Sequence, residues 1–236
     1  MAFNIESKNK ESTVDYIIKT FKELLEKKEL KPGDKIPSET ELSQMFSASR
    51  GSVREALKIL SAFGVVDIQR GNGSYISTGE TAAVINPILF GFLLMNPSQD
   101  EVLDFRACIE QNVLLLAIKN ASDEDIEKIS QNIESFKNIS PDEKDLKEKK
   151  LQLDLQFHSL LGKATHNGFI EKIYDFAMQY FVPSILRTYE NQDAVPVQSV
   201  KSHEILFEPV LKRDNSLIEN AVNESIKIWK GLSVTL

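Results

Sequence analysis

This 236-residue chain contains a single cysteine, Cys108, so it cannot form an internal disulfide. A lack of disulfides is typical of proteins in a reducing compartment. No apolar run reaches the roughly 18 residues of a membrane helix. The polar start, residues 1–12, lacks the apolar core of a signal peptide. We therefore expect a cytoplasmic protein that has no membrane partner.

The chain also lacks the basic excess that is common in proteins that bind nucleic acids, because its net charge is −7. The charge is unevenly distributed. Residues 1–79 hold 12 Lys/Arg against 11 Asp/Glu, a net charge of +1, and residues 80–236 hold 16 against 24, a net charge of −8. Phosphate contact needs only a local basic cluster, so the first part remains compatible with nucleic acid. We expect two domains, 1–79 and 80–236.

Helix and turn signals in residues 12–77 predict a winged helix-turn-helix. An apolar stripe from Val14 to Leu25 indicates the first helix. A capping-box sequence, residues 38–41, indicates that a second helix begins after Ser38. We predict that Leu42, Met45 and Phe46 form the buried side of this helix. The later elements are a helix over 50–62 and strands over 65–69 and 74–77, which flank a basic, glycine-rich tip.

Basic and hydroxyl side chains gather at the start of the third predicted helix and at the hairpin tip. Arg50 and Arg54 lie one helical turn apart, where a recognition helix reaches base edges in the major groove. Arginine can donate two hydrogen bonds to guanine, and serine can bind phosphate or base edges. The same spacing fits an exposed basic face on a winged helix that binds protein. The candidate DNA-contacting residues are Ser49, Arg50, Ser52, Arg54, Arg70 and Gly71.

Residues 12–77 resemble the N-terminal domain of the GntR family of transcription regulators. The shared features are the proline–glycine turn at 32–33, the Pro-Ser-Glu cap at 37–39, Ser-Arg at 49–50, Val-Arg-Glu-Ala-Leu at 53–57 and the glycine wing at 70–73. The resemblance implies that the six candidate residues contact operator DNA. The chain departs from the pattern at two positions. Thr40 stands where many members carry a base-reading arginine, and Gly51 stands where threonine or a similar residue is common.

Strand signals vanish after about residue 80, and the second part reads as seven helices. They are predicted at 82–95, 98–120, 122–138, 142–165, 168–190, 197–212 and 214–233. The predicted fold class is therefore mainly α, with a winged helix-turn-helix followed by an all-α helical bundle.

Ionisable groups in the apolar stripes of these helices indicate a polar pocket, since burying an unpaired charge is costly. Asp154 and His158 lie one turn apart, and His203 lies on the apolar face of another helix. Carboxylate and imidazole are ordinary ligands of Zn, Ni or Mn. A buried histidine can equally be a hydrogen-bonded core residue. Arg106 and Glu110 are four residues apart and can simply pair with each other.

This second part is similar to the FadR-type branch of the GntR family, whose C-terminal FCD domain is an all-helical ligand sensor. The matching stretches are 105–106 with 110, 154–158, 164–167 and 202–205. The resemblance implies that Arg106 holds the carboxylate of an effector. It also implies a divalent metal on Asp154, His158 and His203. Family members add a histidine from the last helix, whereas this chain has Ser225 there.

Two further residues in this part receive structural interpretations. His166 matches no ligand position, and we interpret it as a turn residue. Cys108 lies on a different side of its helix from Arg106, and we interpret it as a packing residue rather than a reactive one.

The resemblance implies a homodimeric repressor that binds double-stranded operator DNA and is controlled by a small effector, a carboxylic acid. Two alternatives stay open. A DNA-binding regulator with a degenerate, non-sensing pocket is favoured by Ser225. A metal-dependent enzyme with a DNA-binding head would use Glu110 as a base. The sequence has no nucleophile motif, phosphate loop or HExxH pair, so we do not expect an enzyme.

Overall fold

The computed structural model describes residues 11–78, 91–92, 94–189 and 197–231. The chain divides into two compact units, Met1–Leu94 and Met95–Leu236. The domain boundary predicted at 79/80 falls outside the described residues, as does most of the helix predicted at 82–95. None of the described helices is both long and apolar enough to cross a membrane.

The first unit consists of three helices and a small antiparallel sheet. Its elements are α1 (Thr13–Glu26), β1 (Lys35–Ile36), α2 (Glu39–Met45), α3 (Arg50–Ala62), β2 (Val66–Gln69) and β3 (Gly73–Ile76). The capping box predicted for α2 is present, since Ser38 accepts from the backbone of Glu41 while the Glu41 carboxylate accepts from the backbone of Ser38. The prediction of a winged helix-turn-helix is confirmed.

The sheet contains one strand that sequence reasoning missed. Its order is β1-β3-β2, and Lys35 and Ile36 of β1 pair with Tyr75 and Ser74 of β3. A strand of two residues is too short to show an alternating pattern, so tertiary pairing alone reveals it. β3 is therefore the central strand, and β1 extends the β2–β3 hairpin on the side of β3.

The core of the first unit lies between α1, α3 and the sheet. Ile17 and Phe21 of α1 pack with the inward residues of α3, as the helical stripes predict. The prediction for the buried side of α2 is wrong at one residue. Leu42 is 2% exposed, but Met45 is 70% exposed. Phe46, the C-cap of α2, packs against the core as predicted, so Met45 is the one member of this set that points away from it.

The second unit is helical throughout its described residues. Its elements are α4 (Gln99–Asn120), α5 (Asp123–Lys137), α6 (Leu146–Lys163), α7 (Gly168–Thr188), α8 (Val197–Lys212), a 3-10 turn (Asn215–Leu217) and α9 (Ile218–Gly231). Capping boxes at Ser98 and Ser122 begin α4 and α5, in agreement with the helix starts predicted at 98 and 122. The predicted all-α architecture is confirmed.

Two helices of this unit begin later than predicted. The helix predicted from residue 214 begins at Ile218 as α9, after the 3-10 turn. For the other, we predicted a start at residue 142, but α6 begins at Leu146. Asp145 has φ 59°, in the left-handed region. A right-handed helix cannot pass through that conformation, so the residues before Asp145 form turns instead.

Candidate functional site

The first site is an exposed surface at the N-terminus of α3. Ser49 caps this helix by accepting a hydrogen bond from the backbone of Ser52, and the two serine hydroxyls lie 2.9 Å apart. Arg50 is the first helical residue and is exposed. The capping geometry therefore fixes where α3 begins and leaves the side chain of Arg50 in solvent.

Arg54 lies one turn further along α3 and is bound by Glu39 of α2. Its Nε donates to both Glu39 carboxylate oxygens at 3.0 and 3.1 Å, and its Nη2 donates to Oε2 at 2.6 Å. The hydrogen bonds from Arg54 are the main cause that lowers the pKa of Glu39, which keeps this carboxyl charged. Glu39 was not among the residues predicted for this site.

The wing presents Arg70 and Gly71 at the turn between β2 and β3. Both residues are exposed, and Gly71 has φ 78°, a conformation that favours glycine. The hairpin therefore displays a basic side chain next to a tight backbone turn. The whole surface has the parts with which winged helices contact DNA: an exposed helix start with arginines and a basic wing.

The second site is a buried cluster formed by α6 and α8. One ligand atom from each of Asp154, His158 and His203 lies within 4.8 Å of the others. The Asp154 oxygens are 3.8 Å from Nε2 of His158 and 3.6 Å from Nε2 of His203. All three residues are buried, at 5%, 1% and 3% exposure. The structure thus brings together the three residues that the sequence placed on two separate helices.

Aromatic residues surround this cluster and set its orientation. Tyr189 donates a hydrogen bond to Oδ2 of Asp154 at 2.6 Å, and the hydroxyl of Tyr174 lies 2.7 Å from Nδ1 of His158. The ring of Phe157 stacks on His203 with centroids 4.0 Å apart. Outer partners of this kind fix the tautomer and orientation of side chains that bind a metal. Sequence reasoning missed both tyrosines, because Tyr174 lies among ordinary core residues of α7 and Tyr189 directly follows that helix.

The protonation states of the cluster suit a cation. Burial raises the pKa of Asp154 to about 6, so this carboxyl is ionised at pH 7. Burial also lowers the pKa of His203 to about 3 and that of His158 well below its usual value, so both rings are neutral. Nε2 of His158 and Nδ1 of His203 have no hydrogen-bond partner among the described residues. One carboxylate beside two neutral imidazoles with unpaired nitrogens fits a divalent metal.

A buried ion pair lies close to this cluster. Arg106 and Glu110 are 4% and 0% exposed, and Nε of Arg106 donates to Oε1 of Glu110 at 3.0 Å. Desolvation raises the pKa of Glu110 against the opposing effect of Arg106. Within the described part of the chain, Nη1 of Arg106 and Oε2 of Glu110 lack partners. The prediction that Arg106 pairs with Glu110 is therefore confirmed. The pair leaves the Nη1 atom of the guanidinium available to donate to a ligand.

The guanidinium of Arg106 also lies against two aromatic rings. Its Cζ is 4.6 Å from the ring centroid of Trp229 and 5.3 Å from that of Phe181. The indole nitrogen of Trp229 is buried and, as far as the chain is described, unpaired. Two hydrogen-bond donors without partners therefore belong to adjacent side chains, an arrangement that suits an anionic oxygen pair.

Arg106, Asp154 and His203 line one small cavity. Its volume is about 20 Å³, room for roughly one water molecule. Ser202 also lines it, and its hydroxyl lies 2.8 Å from that of Ser225, which is fully buried. Ser225 thus lies beside the cluster, hydrogen-bonded to a cavity-lining serine. A ligand larger than water requires the side chains around the cavity to move.

The two remaining interpretations have different outcomes. His166 adopts φ 48° in the turn between α6 and α7, and its Nε2 lies 2.8 Å from Asp125, as expected of a turn residue. The interpretation of Cys108 as a packing residue is wrong, since its side chain is exposed. It lies midway between Arg106 and Glu110, which share the inner face of α4, so it points about 200° away from each.

Both units match families of known proteins. Residues 13–76 match the family described as bacterial regulatory proteins, gntR family, and residues 101–227 match the FCD domain. The HTH-type transcriptional regulator LutR of Bacillus subtilis (strain 168) is 30% identical over 160 residues, which cover 68% of this chain and 71% of LutR. The galactonate operon transcriptional repressor of Escherichia coli (strain K12) is 20% identical, over 80% of this chain and 83% of that protein.

A solved structure supports the same fold. The protein described as Streptococcus agalactiae GntR superposes with a TM-score of 0.66 at 18% identity, over 93% of this chain and 100% of that one. At this identity the likeness concerns the fold alone, and the sequence matches carry the assignment. The chain belongs to the GntR family and is a DNA-binding transcription regulator with a C-terminal FCD domain that binds effectors.

Proposed function

We propose that this regulator is a homodimeric repressor whose affinity for operator DNA changes when a small carboxylic acid binds in the FCD domain. One observation carries the effector class. Arg106 is buried and lines the same cavity as Asp154 and His203. Its Nη1 atom has no hydrogen-bond partner within the described residues. An unpaired buried donor of this charge is costly unless an anion satisfies it. Such a regulator acts on DNA in the cytoplasm.

We assign DNA reading to surface residues of the winged helix-turn-helix. We propose that this DNA-binding domain ends near residue 79. Arg50 and Arg54 would reach base edges from the start of α3, and Arg70 and Gly71 would contact the backbone or minor groove from the wing. Ser49 and Ser52 are well placed for phosphate, because they lie where the positive end of the α3 dipole meets solvent. Two-fold symmetry of a dimer would then match a palindromic operator.

A divalent metal is proposed as the second anchor of the effector. FCD domains bind metals in some members, and Asp154, His158 and His203 supply one carboxylate and two imidazoles. Zn, Ni and Mn all accept this set. A bound metal would supply positive charge for a carboxylate oxygen. Tyr174 and Tyr189 would hold the orientation of two of the ligands through the hydrogen bonds described above.

One observation supports control by a conformational change, and another supports the proposed repression by an acid-responsive regulator. The cavity has room for about one water, so an acid must move its lining to enter, and the ligand thereby favours a different conformation. The relative from Escherichia coli is named as a repressor of the galactonate operon, and galactonate is the anion of a sugar acid. The same small cavity also favours a regulator that does not sense at all, which is the second candidate function.

A panel of small carboxylic acids separates these two candidates. We expect a bound acid to stabilise the metal-loaded protein by about 2.7 kcal/mol when its concentration is about 100 times Kd. The same acid should change operator affinity and the fluorescence of Trp229, the one tryptophan of the chain. Thermal denaturation, fluorescence titration and gel shift measure these effects. The corresponding amides serve as controls, and a panel without any response would contradict the carboxylic acid effector and support the non-sensing regulator.

Metal binding is tested by removing one ligand at a time. We expect His203→Ala to weaken binding of Zn²⁺ by more than the roughly 10–100-fold that loss of an outer partner costs, because only two protein ligands remain. His166→Ala is the matched control, since it removes an exposed imidazole outside the cluster. Calorimetric titration measures the affinity. Equal affinities in the two variants would place the metal elsewhere.

A further inference from the structure

The contact between Glu39 and Arg54 uses only one edge of the guanidinium. Glu39 occupies Nε and Nη2, which form the side-on edge of the group. An arginine has five N–H donors. Nη1 and the second hydrogen of Nη2 form the other, end-on edge. Two donors side by side on that edge match the O6 and N7 acceptors of guanine.

We propose that Glu39 is a positioning residue that holds Arg54 for base reading, so that part of the operator specificity depends on a residue of α2. This inference rests on the proposed role of α3 in the major groove. Arginine on its own has a long, flexible stem and can turn towards any nearby phosphate. With its side-on edge held by Glu39, its end-on edge has one direction, which is the condition for a geometric match to one base pair.

The position of Glu39 is itself well defined. It is the first residue of α2, directly after the cap Ser38, and the reciprocal hydrogen bonds of Ser38 and Glu41 fix that turn. A carboxylate in the first turn is also stabilised by the helix dipole. The partner Arg54 is held in α3, whose start is fixed by Ser49. Both ends of the contact therefore come from ordered turns, even though the side chains are 37% and 59% exposed.

The sign of the Glu39 charge adds to this role. Arg50 and Lys58 also act on the Glu39 carboxyl electrostatically, so Glu39 faces the whole basic stripe of α3. A carboxylate on that surface repels phosphate wherever DNA is bound without sequence preference. Its loss should weaken operator binding, while binding to random DNA stays equal or rises. A residue with only a structural role would not change the two affinities in opposite directions.

The experiment compares Glu39→Gln with Glu55→Gln, each in the full-length protein. Glu55 is an exposed residue of α3, so its replacement removes the same charge from the helix that carries Arg54. The operator is first selected from randomised DNA with the wild-type protein. We expect Glu39→Gln to lower the ratio of operator to random-DNA affinity by about tenfold at one fixed salt concentration. Glu55→Gln should leave this ratio within about twofold of wild type.

The decisive measurement is the same substitution in an Arg54→Ala background. If Glu39 acts through Arg54, Glu39→Gln does not change the ratio of operator to random-DNA affinity there, because coupled residues are not additive and the lost charge acts on both DNAs alike. An unchanged ratio for Glu39→Gln, or a tighter operator complex, would overturn the proposal, the latter by showing that Glu39 masks Arg54. Thermal denaturation of each variant confirms that it is folded. If Arg50→Ala with Arg54→Ala keeps wild-type operator affinity, then the proposed recognition helix fails instead.

Discussion

Replacing Arg50 and Arg54 together with alanine is expected to weaken operator binding on the order of 100-fold or more. Each good bidentate contact between an arginine and guanine is worth about 1–3 kcal/mol, and every 1.4 kcal/mol is about tenfold in affinity. Both side chains are exposed at the start of α3, so the variant keeps its core and its fold. Fluorescence anisotropy with selected operator and with random DNA measures the loss. The effect should be larger on the operator, because random DNA is held mainly through phosphates.

A charge-matched variant separates base reading from bulk electrostatics. Lys19 and Lys22 are exposed residues of α1, outside α3 and the wing. Their double replacement by alanine removes the same two charges and should cost far less on operator DNA. If both double variants lose operator affinity equally, Arg50 and Arg54 act only as general positive charge. If neither loses it, the surface that binds DNA is a different one.

The second large effect concerns the stability of the helical unit. We expect Arg106→Ala to lower the free energy of unfolding by about 3–5 kcal/mol, because it leaves the Glu110 carboxylate buried without its partner. Glu110 is 0% exposed, and Arg106 provides its hydrogen bond. Since burial already raises the pKa of Glu110, protonation of this carboxyl reduces the penalty as the pH falls. Urea denaturation at pH 8 and pH 5 measures both effects.

The variant that combines Arg106→Met with Glu110→Leu distinguishes stability from ligand binding. Replacing a buried ion pair by apolar residues of similar size is often neutral or stabilising, so this protein should fold about as well as wild type. We expect it to lose the response to carboxylic acids, because the cavity no longer contains the guanidinium. A folded double variant that still responds to acids would show that Arg106 is not the anchor. An unchanged stability of Arg106→Ala would show that the pair contributes nothing to the fold.

Much of the fold was predictable because local signals and tertiary structure agree. Residues 50–62 form a helix as predicted, and Ser38, Ser98 and Ser122 cap the helices that their sequences announce. Where prediction failed, the structure was determined by a long-range contact or by the backbone conformation of one residue. Pairing with β3 creates β1, and the left-handed conformation of Asp145 delays the start of α6. Neither strand pairing nor a left-handed residue produces a periodic pattern in the sequence.

The candidate sites follow the same division. Helical spacing placed Asp154 with His158 on one face, and the structure brings His203 of α8 to within 4.8 Å of that pair. Spacing could not identify the residues that orient the cluster. Tyr189 lies 35 positions from Asp154 along the chain, and Glu39 lies 15 positions from Arg54. Such partners are visible only when two elements pack together.

By itself the sequence determined the class of this protein: a winged helix-turn-helix, a helical second unit, the arginines of α3 and the polar residues in apolar stripes. These features depend on residue identity and on periods of a few residues, which any short window contains. Only the tertiary structure decided that Arg106 lines one cavity with His203, that Ser225 contacts Ser202, and that Glu39 holds Arg54. Those contacts join distant segments, and their energies arise from burial and direction, which a linear sequence does not contain.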